Sequence, residues 1–378
     1  MNSPETYSLL QHYWFFIDAL LGGILVFLLF VQGGQTFIFT LAKGEAEKTL
    51  IVNTLGRKWE FTFTTLVTFG GAFFASFPLF YATSFGGAYW LWYLILFAFV
   101  IQAVSYEFRS RPNNFLGKKT FDLFLFINGT FGTLLLGIAV STFFTGSMFE
   151  ITPTRGVIWH TPYRGLEALF NVHSLSLGFS VFFLARINAL LYFLNSISDD
   201  GLSYRSKKSL WPNTIGFLVS FLTFVIWLLV RKGFAINPEN GEIFMDQFKY
   251  LNNLLQMPIV GGMFIIGVVL VLYGLSRALI LNRPFQAIWY TGAGTIITVV
   301  ALFLTSAFNN TAFYPSEYDL QSSLTIFNSS SSYFTLKTMA YVSALIPFVV
   351  AYIVYFWRTM NRKPLTKEEL ESHENHVY

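Results

Sequence analysis

Three carboxylates stand where apolar stretches meet polar loops: Glu60, Glu107 and Asp122. Glu60 and Asp122 each begin an apolar stretch and Glu107 ends one, so antiparallel packing would bring all three to the same side of a bundle. Grouped carboxylates at a membrane surface can take up protons, and the pattern predicts a proton-entry site. Basic residues flank each of the three, so surface ion pairing stays open as the alternative.

Gln32 and Gln35 lie three residues apart and therefore share one face of a helix. They either continue a polar track inward from Glu60 or hydrogen-bond between helices. Glutamine can hold a chain of water molecules, but it does not take up and release a proton at ordinary pH. We therefore count both residues as candidates for the proton path.

Two ionisable residues fall inside apolar stretches. Arg186 lies about nine residues from the basic end of its stretch, roughly 13 Å by helix rise. An unpaired charge at that depth costs about 2.5–3.5 kcal/mol. Arg186 therefore needs a partner: a carboxylate in another subunit, a lipid phosphate, a bound polar head group or a contact between helices. Asp18 lies about a turn and a half from the outer end of its stretch, where hydration at the interface explains it.

Haem, metal and nucleotide chemistry lack the residues that they need. Of the five histidines only His173 falls within an apolar stretch, so the sequence offers no pair of axial haem ligands. It contains no cysteine, no phosphate-binding loop and no hydrolase motif. We expect no catalytic residue, haem or metal in this chain alone.

Nine long apolar stretches must position these residues. Hydrophobic residues make up 54% of the chain and charged residues 12%, which places it among membrane proteins rather than soluble ones. Each stretch has about the length that crosses a hydrocarbon core of about 30 Å. The sequence predicts an all-α polytopic membrane protein with nine transmembrane helices, approximately residues 13–41, 61–84, 88–106, 122–146, 168–195, 211–230, 257–280, 286–307 and 338–357.

Most of the 24 lysines and arginines lie in alternate loops. This distribution predicts an external N-terminus and a cytoplasmic C-terminus. Because the basic residues flank membrane ends, the net charge of +4 does not indicate nucleic-acid binding. The first stretch is too long for a cleaved signal peptide, and we expect it to be retained as a helix.

The polar loop at 147–167 divides the apolar stretches. We expect two four-helix bundles plus one C-terminal helix: residues 1–150 form the first bundle, 151–310 the second, and 311–378 an external loop, the ninth helix and a cytoplasmic tail. The Ser- and Asn-rich stretch 308–336 also carries alternating Leu, Ile, Phe and Tyr. This alternation predicts that the loop lies against the bundle.

Several short motifs extend over nearly the whole chain. In chain order they are Trp59-Glu60, Gly70–Ala82, Ser105–Ser110, Asp122, Tyr314–Ser316, Ser323–Met339 and the tail LTKEELE. Together they resemble subunit II of cytochrome bd-type quinol oxidases. The pattern of that family has a Trp-Asp pair, a Gly-Gly-Ala-x-Phe-Ala-x-x-Pro-x-x-Tyr-Ala stretch, an aromatic-acid-aromatic-Arg-Ser element and an acid that opens the fourth span.

The resemblance implies a heterodimer with subunit I in the bacterial cytoplasmic (inner) membrane. In this family subunit I carries the haems, which are haem b and haem d or a third haem b, and it takes electrons from the quinol pool to reduce oxygen to water. Subunit II then supports subunit I and lines a proton path from the cytoplasm, for which Glu60 is the first candidate. A structural quinone, a small accessory subunit and bound membrane lipids occur in the family and stay open for this chain.

One stretch departs from the family pattern. Many members have Thr-Asp-Gly-x-Asp late in the first helix, where this chain has Val31-Gln32-Gly33-Gly34-Gln35. The uptake route through that helix is therefore either absent or dependent on water alone. Two other hypotheses remain from the residues: a stand-alone secondary transporter that uses Arg186 or the acidic cluster, and a purely structural membrane scaffold.

Overall fold

The computed structural model of the chain describes residues 4–281 and 283–360. Most of them form helices, because the apolar stretches can satisfy their backbone groups within a bilayer only internally. The α-helices are α1 (Pro4–Leu28), α2 (Phe30–Gln35), α3 (Glu45–Gly56), α4 (Trp59–Ser76), α5 (Pro78–Tyr81), α6 (Tyr89–Phe108), α7 (Lys118–Ile127), α8 (Thr133–Thr145), α9 (Val172–Ser196), α10 (Asp200–Val230), α11 (Lys249–Gln256), α12 (Pro258–Leu279), α13 (Ala287–Ala307), α14 (Tyr333–Ser343) and α15 (Ile346–Met360).

Eight helical segments of the described chain are long and apolar enough to cross a membrane. They correspond to eight of the nine predicted spans, with α1 and α2, α7 and α8, and α14 and α15 each forming one segment. The remaining predicted span, 61–84, coincides with α4, α5 and the π-helical turn Ala82–Gly87. Pro78 interrupts this stretch because proline lacks the backbone N–H that a continuous helix needs.

The two halves of the chain share one helical core. Helix α1 packs against α4 and α13, and α9 packs against α2, α8 and α10. Helices α2 and α9 come into backbone contact at Gly33 of α2. A Cβ atom there would lie 2.2 Å from the backbone carbonyl carbon of Ala185 on α9. A glycine is therefore required for these two helices to touch backbone to backbone.

Short segments between the helices cover one end of the bundle. Strands β1 (Phe149–Ile151) and β2 (Val157–Trp159) form one antiparallel hairpin, and β3 (Gly233–Ile236) and β4 (Ile243–Asp246) form another. The Ser- and Asn-rich loop lies across them and buries Phe313, and the Ser331 amide donates to the Ser76 carbonyl at 2.8 Å. The prediction that this loop lies against the bundle is confirmed.

The last helix stands away from the bundle along most of its length. Helix α14 packs on α1 and α4, whereas the side chains of α15 are largely exposed. Its exception is Trp357, which is 8% exposed and lies 5.9 Å from Phe30, 6.2 Å from Phe61 and 5.8 Å from Trp289 between ring centroids. The contact leaves an apolar cleft between α15 and the bundle.

Candidate functional site

Asp122 forms a buried ion pair with Arg109. Arg109 caps the end of α6 and Asp122 lies in α7, and both side chains are at most 1% exposed. Arg109 Nε donates to Asp122 Oδ1 at 2.6 Å, and Nη1 donates to Thr49 Oγ1 at 3.3 Å. Glu45 lies 3.8 Å from the same guanidinium. The pair therefore ties the α6–α7 loop to α3.

The other two predicted carboxylates lie apart from this pair. Glu107 forms an ion pair with Arg111 one turn later, and both side chains are more than half exposed. Glu60 is exposed in the first turn of α4. No hydrogen bond or ion pair within the described chain joins the three carboxylates, so the predicted acidic cluster is not a set of touching groups.

Gln32 and Gln35 do converge, and Gln102 of α6 joins them. The Nε2 atoms of Gln32 and Gln35 each donate to Gln102 Oε1 at 2.6 Å. Gln35 Nε2 also donates to the Tyr106 hydroxyl at 3.1 Å. All four side chains are buried, so the shared glutamine face forms an interhelical amide network.

Asn128 lies on an element that packs beside this network, and we group it with the network as the amide cluster: Gln32, Gln35, Gln102, Tyr106 and Asn128. Asn128 begins a π-helical turn, Asn128–Gly132, that packs on α2 and α6. Five buried amide atoms of the cluster have no hydrogen-bond partner within the described residues: the acceptors Gln32 Oε1, Gln35 Oε1 and Asn128 Oδ1, and the donors Gln102 Nε2 and Asn128 Nδ2. Such a mixture of donors and acceptors suits water, which offers both.

Trp59 connects the amide cluster to Glu60. Its ring stacks on Tyr106 with centroids 5.6 Å apart and planes 16° apart. In the sequence, Glu60 is therefore the residue next to Trp59, whose ring contacts the cluster. Lys58, on the other side of Trp59, is fully buried, and burial together with the charge of Arg57 lowers the pKa of its ammonium to about 7.

Arg186 finds neutral partners inside this chain. Its Nε donates to Asn213 Oδ1 at 2.6 Å and its Nη1 donates to Thr36 Oγ1 at 2.8 Å. The guanidinium also lies over the Phe37 ring, 4.1 Å from its centroid. Of the partners expected from the sequence, the described residues supply the contact between helices and no carboxylate.

The structure contradicts the prediction that Asp18 is hydrated at the membrane interface. Its side chain is completely buried rather than hydrated at the interface, and Ser76 Oγ donates to its Oδ2 at 2.8 Å. The reason is the Ser- and Asn-rich loop, which covers this end of α1 and α4 and excludes solvent from it. A sequence pattern gives the depth of Asp18 in a helix but not the cover supplied by residues about 300 positions later.

The histidines of the described chain do not form a pair of axial haem ligands. His12 Nδ1 lies 2.8 Å from the Ser8 carbonyl oxygen, His160 Nε2 lies 3.0 Å from Glu150 Oε2, and His173 stacks on Trp227. Each ring is thus engaged by its own surroundings, and no two of them face one another across a shared space. A bis-histidine haem site needs such a facing pair.

An aromatic groove lies on the outer surface between α4 and α6. It has a volume of about 560 Å³, and Gly70 and Gly71 form its floor while Phe74 and Tyr93 stand at its rim. A Cβ at Gly71 would have no atom within 4 Å. Gly71 is therefore not needed for packing within the described chain, although small residues are typical of surfaces where a second helix docks.

The chain is similar over nearly its whole length to proteins of one family. Residues 10–360 match the family described as cytochrome bd terminal oxidase subunit II. The chain is 25% identical to cytochrome bd-I ubiquinol oxidase subunit 2 of Escherichia coli (strain K12), with 97% of each chain covered. It is 26% identical to cytochrome bd ubiquinol oxidase subunit 2 of Bacillus subtilis (strain 168), covering 94% of this chain and 99% of that protein.

A solved structure shares the fold. A chain in the structure of bd oxidase from Geobacillus thermodenitrificans superposes with a TM-score of 0.62 at 14% sequence identity. The superposition covers 93% of this chain and 98% of the other. The arrangement of helices is thus shared over almost the full length.

Proposed function

Since the chain belongs to the cytochrome bd terminal oxidase subunit II family, we propose that it supports subunit I and conducts protons toward it. Membership makes the chain a subunit of a quinol oxidase complex, an oxidoreductase of the respiratory chain that spans the inner membrane. In the overall reaction two quinols give four electrons and four protons, and one oxygen molecule takes up four of each to form two waters. The protons that oxygen consumes come from the cytoplasm.

We place the haems of the complex, haem b and haem d or a third haem b, in subunit I. The engaged histidines of this chain support that assignment, because none of those described offers a free, facing pair of axial ligands. A structural quinone and a small accessory subunit stay open for this chain. In this proposal the chain contributes binding and proton transfer, and the redox groups belong to its partner.

The proton path that we propose begins at Glu60 and continues into the amide cluster. Glu60 is exposed, so it can exchange protons with solvent. Trp59 and Tyr106 connect its position to Gln35, and the amide atoms without partners are suited to hold water that relays a proton. The amide cluster is the single observation that carries this proposal. Its buried amide atoms without hydrogen-bond partners are costly in a membrane unless water or another group bonds to them.

Glu107 and Asp122, the other two acids predicted for the path, have different surroundings. Arg109 holds Asp122 as a buried carboxylate, and protonating Asp122 would leave the guanidinium without its partner. Glu107 belongs to an exposed ion pair. We therefore propose a structural role for Asp122 and a surface role for Glu107, and we keep Glu60 as the entry residue.

We further propose nine spans, with the stretch from Trp59 to Gly87 as the one that is not counted among the eight long apolar helices. An external N-terminus and a cytoplasmic C-terminus follow from the basic loops. The division at about residues 150 and 310 into two four-helix bundles and a last helix stays a prediction. Helices α1 and α13, which this division assigns to different bundles, are in contact.

The test is the oxygen consumption of a Glu60→Gln variant, purified with subunit I. We expect turnover to fall by up to about a hundredfold, the lower end of what a positioned proton-transfer group contributes. Glu107→Gln, which removes another exposed acid at the same end of the bundle, is the matched control and should turn over normally. A reduced-minus-oxidised optical spectrum must show full haem content in both variants. Normal turnover of an intact Glu60→Gln complex would refute the path.

A further inference from the structure

Two apolar cavities lie inside the helical bundle. The larger cavity has a volume of about 110 Å³ and lies mainly between α9, α10, α12 and α13. The smaller cavity has a volume of about 60 Å³ and lies mainly between α1, α8, α9 and α13. Sites that hold a small organic ligand usually have about 300–1,000 Å³. Neither cavity therefore has room for a quinone or a lipid, and both suit a molecule of a few atoms.

The two cavities are direct neighbours. The side chains that line both of them are Val26, Leu177, Val181, Val299 and Leu302. All of these are aliphatic, and together they form a common wall. Because the wall consists of side chains that face both cavities, a change of rotamer in one of them joins the two spaces.

Each cavity also reaches one side of the bundle. The larger cavity meets the lipid-facing surface between α10 and α12, where its lining residues Leu222 and Leu272 are 52% and 43% exposed. Both helices are long and apolar enough to span a membrane, so these leucines face hydrocarbon chains. Trp92 of α6 lines both the smaller cavity and the aromatic groove between α4 and α6. The cavities thus form an apolar line across the subunit, from the bilayer to that groove.

Water is a poor occupant of this line. The smaller cavity is lined by hydrophobic side chains and glycine alone. In the larger cavity the Ser180 and Thr295 hydroxyls donate to backbone carbonyls of their own helices at 2.7 Å each. Thr298 Oγ1 has no hydrogen-bond partner within the described residues, and a buried water needs about two to four partners. An apolar cavity of about 150 Å³ stays dry and binds benzene or xenon.

We propose that the two cavities hold dioxygen on a route from the bilayer through this subunit to subunit I. Dioxygen is apolar and diatomic, so it enters hydrocarbon readily and fits both volumes. It is also the small apolar molecule that a terminal oxidase consumes. The inference rests on the proposed position of the haems in subunit I and on the groove as the face toward that subunit, and it does not depend on the proton path.

Xenon tests whether the cavities accept an apolar guest. Crystals of the complex with subunit I are held under xenon pressure, and the anomalous scattering of xenon locates it. We expect xenon in both cavities. Val268 lines the larger cavity, so Val268→Phe should fill it and remove xenon from it. Val269→Phe is the matched control, because Val269 is the next residue of α12, is 56% exposed and does not line the cavity.

Oxygen uptake at low dioxygen concentration tests the route. We expect Val268→Phe to lower kcat/KM for dioxygen about fivefold or more, since dioxygen must then displace a side chain in a packed core. The value of kcat at saturating dioxygen should not change, because the variant slows arrival and leaves the chemistry intact. Loss of the proton path in Glu60→Gln lowers kcat instead, so the two proposals fail separately.

A milder variant covers the case in which Val268→Phe assembles poorly. Val299→Leu adds one methylene group to the common wall and should lower kcat/KM for dioxygen in the same direction. A reduced-minus-oxidised spectrum must show full haem content in each variant. Cavities that contain ordered water or take up no xenon would overturn the proposal. So would equal kcat/KM values for dioxygen in Val268→Phe, Val269→Phe and the native complex.

Discussion

Arg109 and Asp122 are the clearest case of a residue pair whose charges depend on each other. Both are buried, and their hydrogen bonds also reach Thr49 on α3. Removing one member of such a pair leaves an uncompensated buried charge, whereas an exposed pair is held mainly by water. The same chain contains both situations within 16 residues, since Glu107 and Arg111 form the exposed pair.

We expect Asp122→Asn to lower the free energy of unfolding by about 3–5 kcal/mol, because Arg109 stays charged without its partner. The assembled complex should melt at a lower temperature and be recovered in smaller amounts. Glu107→Gln changes a similar carboxylate to an amide at the surface and should cost ~0–1 kcal/mol. Thermal melting of the two purified variants measures the difference, and equal melting temperatures would contradict a structural role for Asp122.

At the residue scale the sequence predicted that Gln32 and Gln35 share one helix face. It did not predict that Gln102 of another helix is their hydrogen-bond partner. Their spacing places them on one face. Gln102 and Asn128 stand alone in their helices, so spacing within each helix says nothing about which neighbour they meet. The same holds for Arg109, whose partner lies 13 residues later across a turn. Contacts of this kind depend on how helices pack, which local pattern does not encode.

At the element scale, breaks in the helices create the site. Helices α1 and α2 part at Leu29, α4 ends before Pro78, and a π-helical turn begins at Asn128. Hydropathy located the spans because a bilayer demands length and apolar composition. It could not locate these breaks, because a π-helical turn changes the direction of side chains without changing composition.

The contact at Gly33 gives a prediction about α2 and α9. An added methyl group would meet the backbone of Ala185 and Arg186 at 2.2–2.5 Å, where no side chain can move aside. We expect Gly33→Ala to destabilise the chain by at least about 1–3 kcal/mol, the usual cost of overpacking. In Gly262→Ala, a helical glycine with open space around its Cβ, the better helix propensity should stabilise by about 0.5–1 kcal/mol.

Melting temperatures of the two alanine variants provide the comparison. The shifts should have opposite signs, and Gly33→Ala should also displace Arg186 from Thr36. If Gly33→Ala melted no lower than the native protein, helices α2 and α9 would have to be farther apart than described.

At the scale of the whole molecule, two apolar surfaces of the described residues stand out because they are exposed. One is the groove between α4 and α6, and the other is the exposed face of α15. We expect a transmembrane helix of subunit I to dock in the groove, since its glycine floor permits close approach. The order of the spans could be predicted from the sequence. The docking face could not, because it depends on which glycines have no neighbouring atoms in the folded chain.

Gly71→Leu tests this docking face. The leucine has room within the chain, so the subunit should fold, but it would occupy the groove and reduce the amount of subunit I that copurifies with a tagged subunit II. Gly262→Leu places the same side chain on α12, also in open space, and should leave copurification unchanged. Full recovery of the heterodimer with Gly71→Leu would move the interface to another face.

The sparse contact between α15 and the bundle also has a consequence for biogenesis. The chain is synthesised from its N-terminus, so α15 leaves the ribosome after α1, α4 and α13. Until α15 docks, the faces of those three helices that surround Trp357 are open to the bilayer. Docking of α15 through Trp357 is therefore a late step of folding, which takes place on a bundle whose other described helices have already been made.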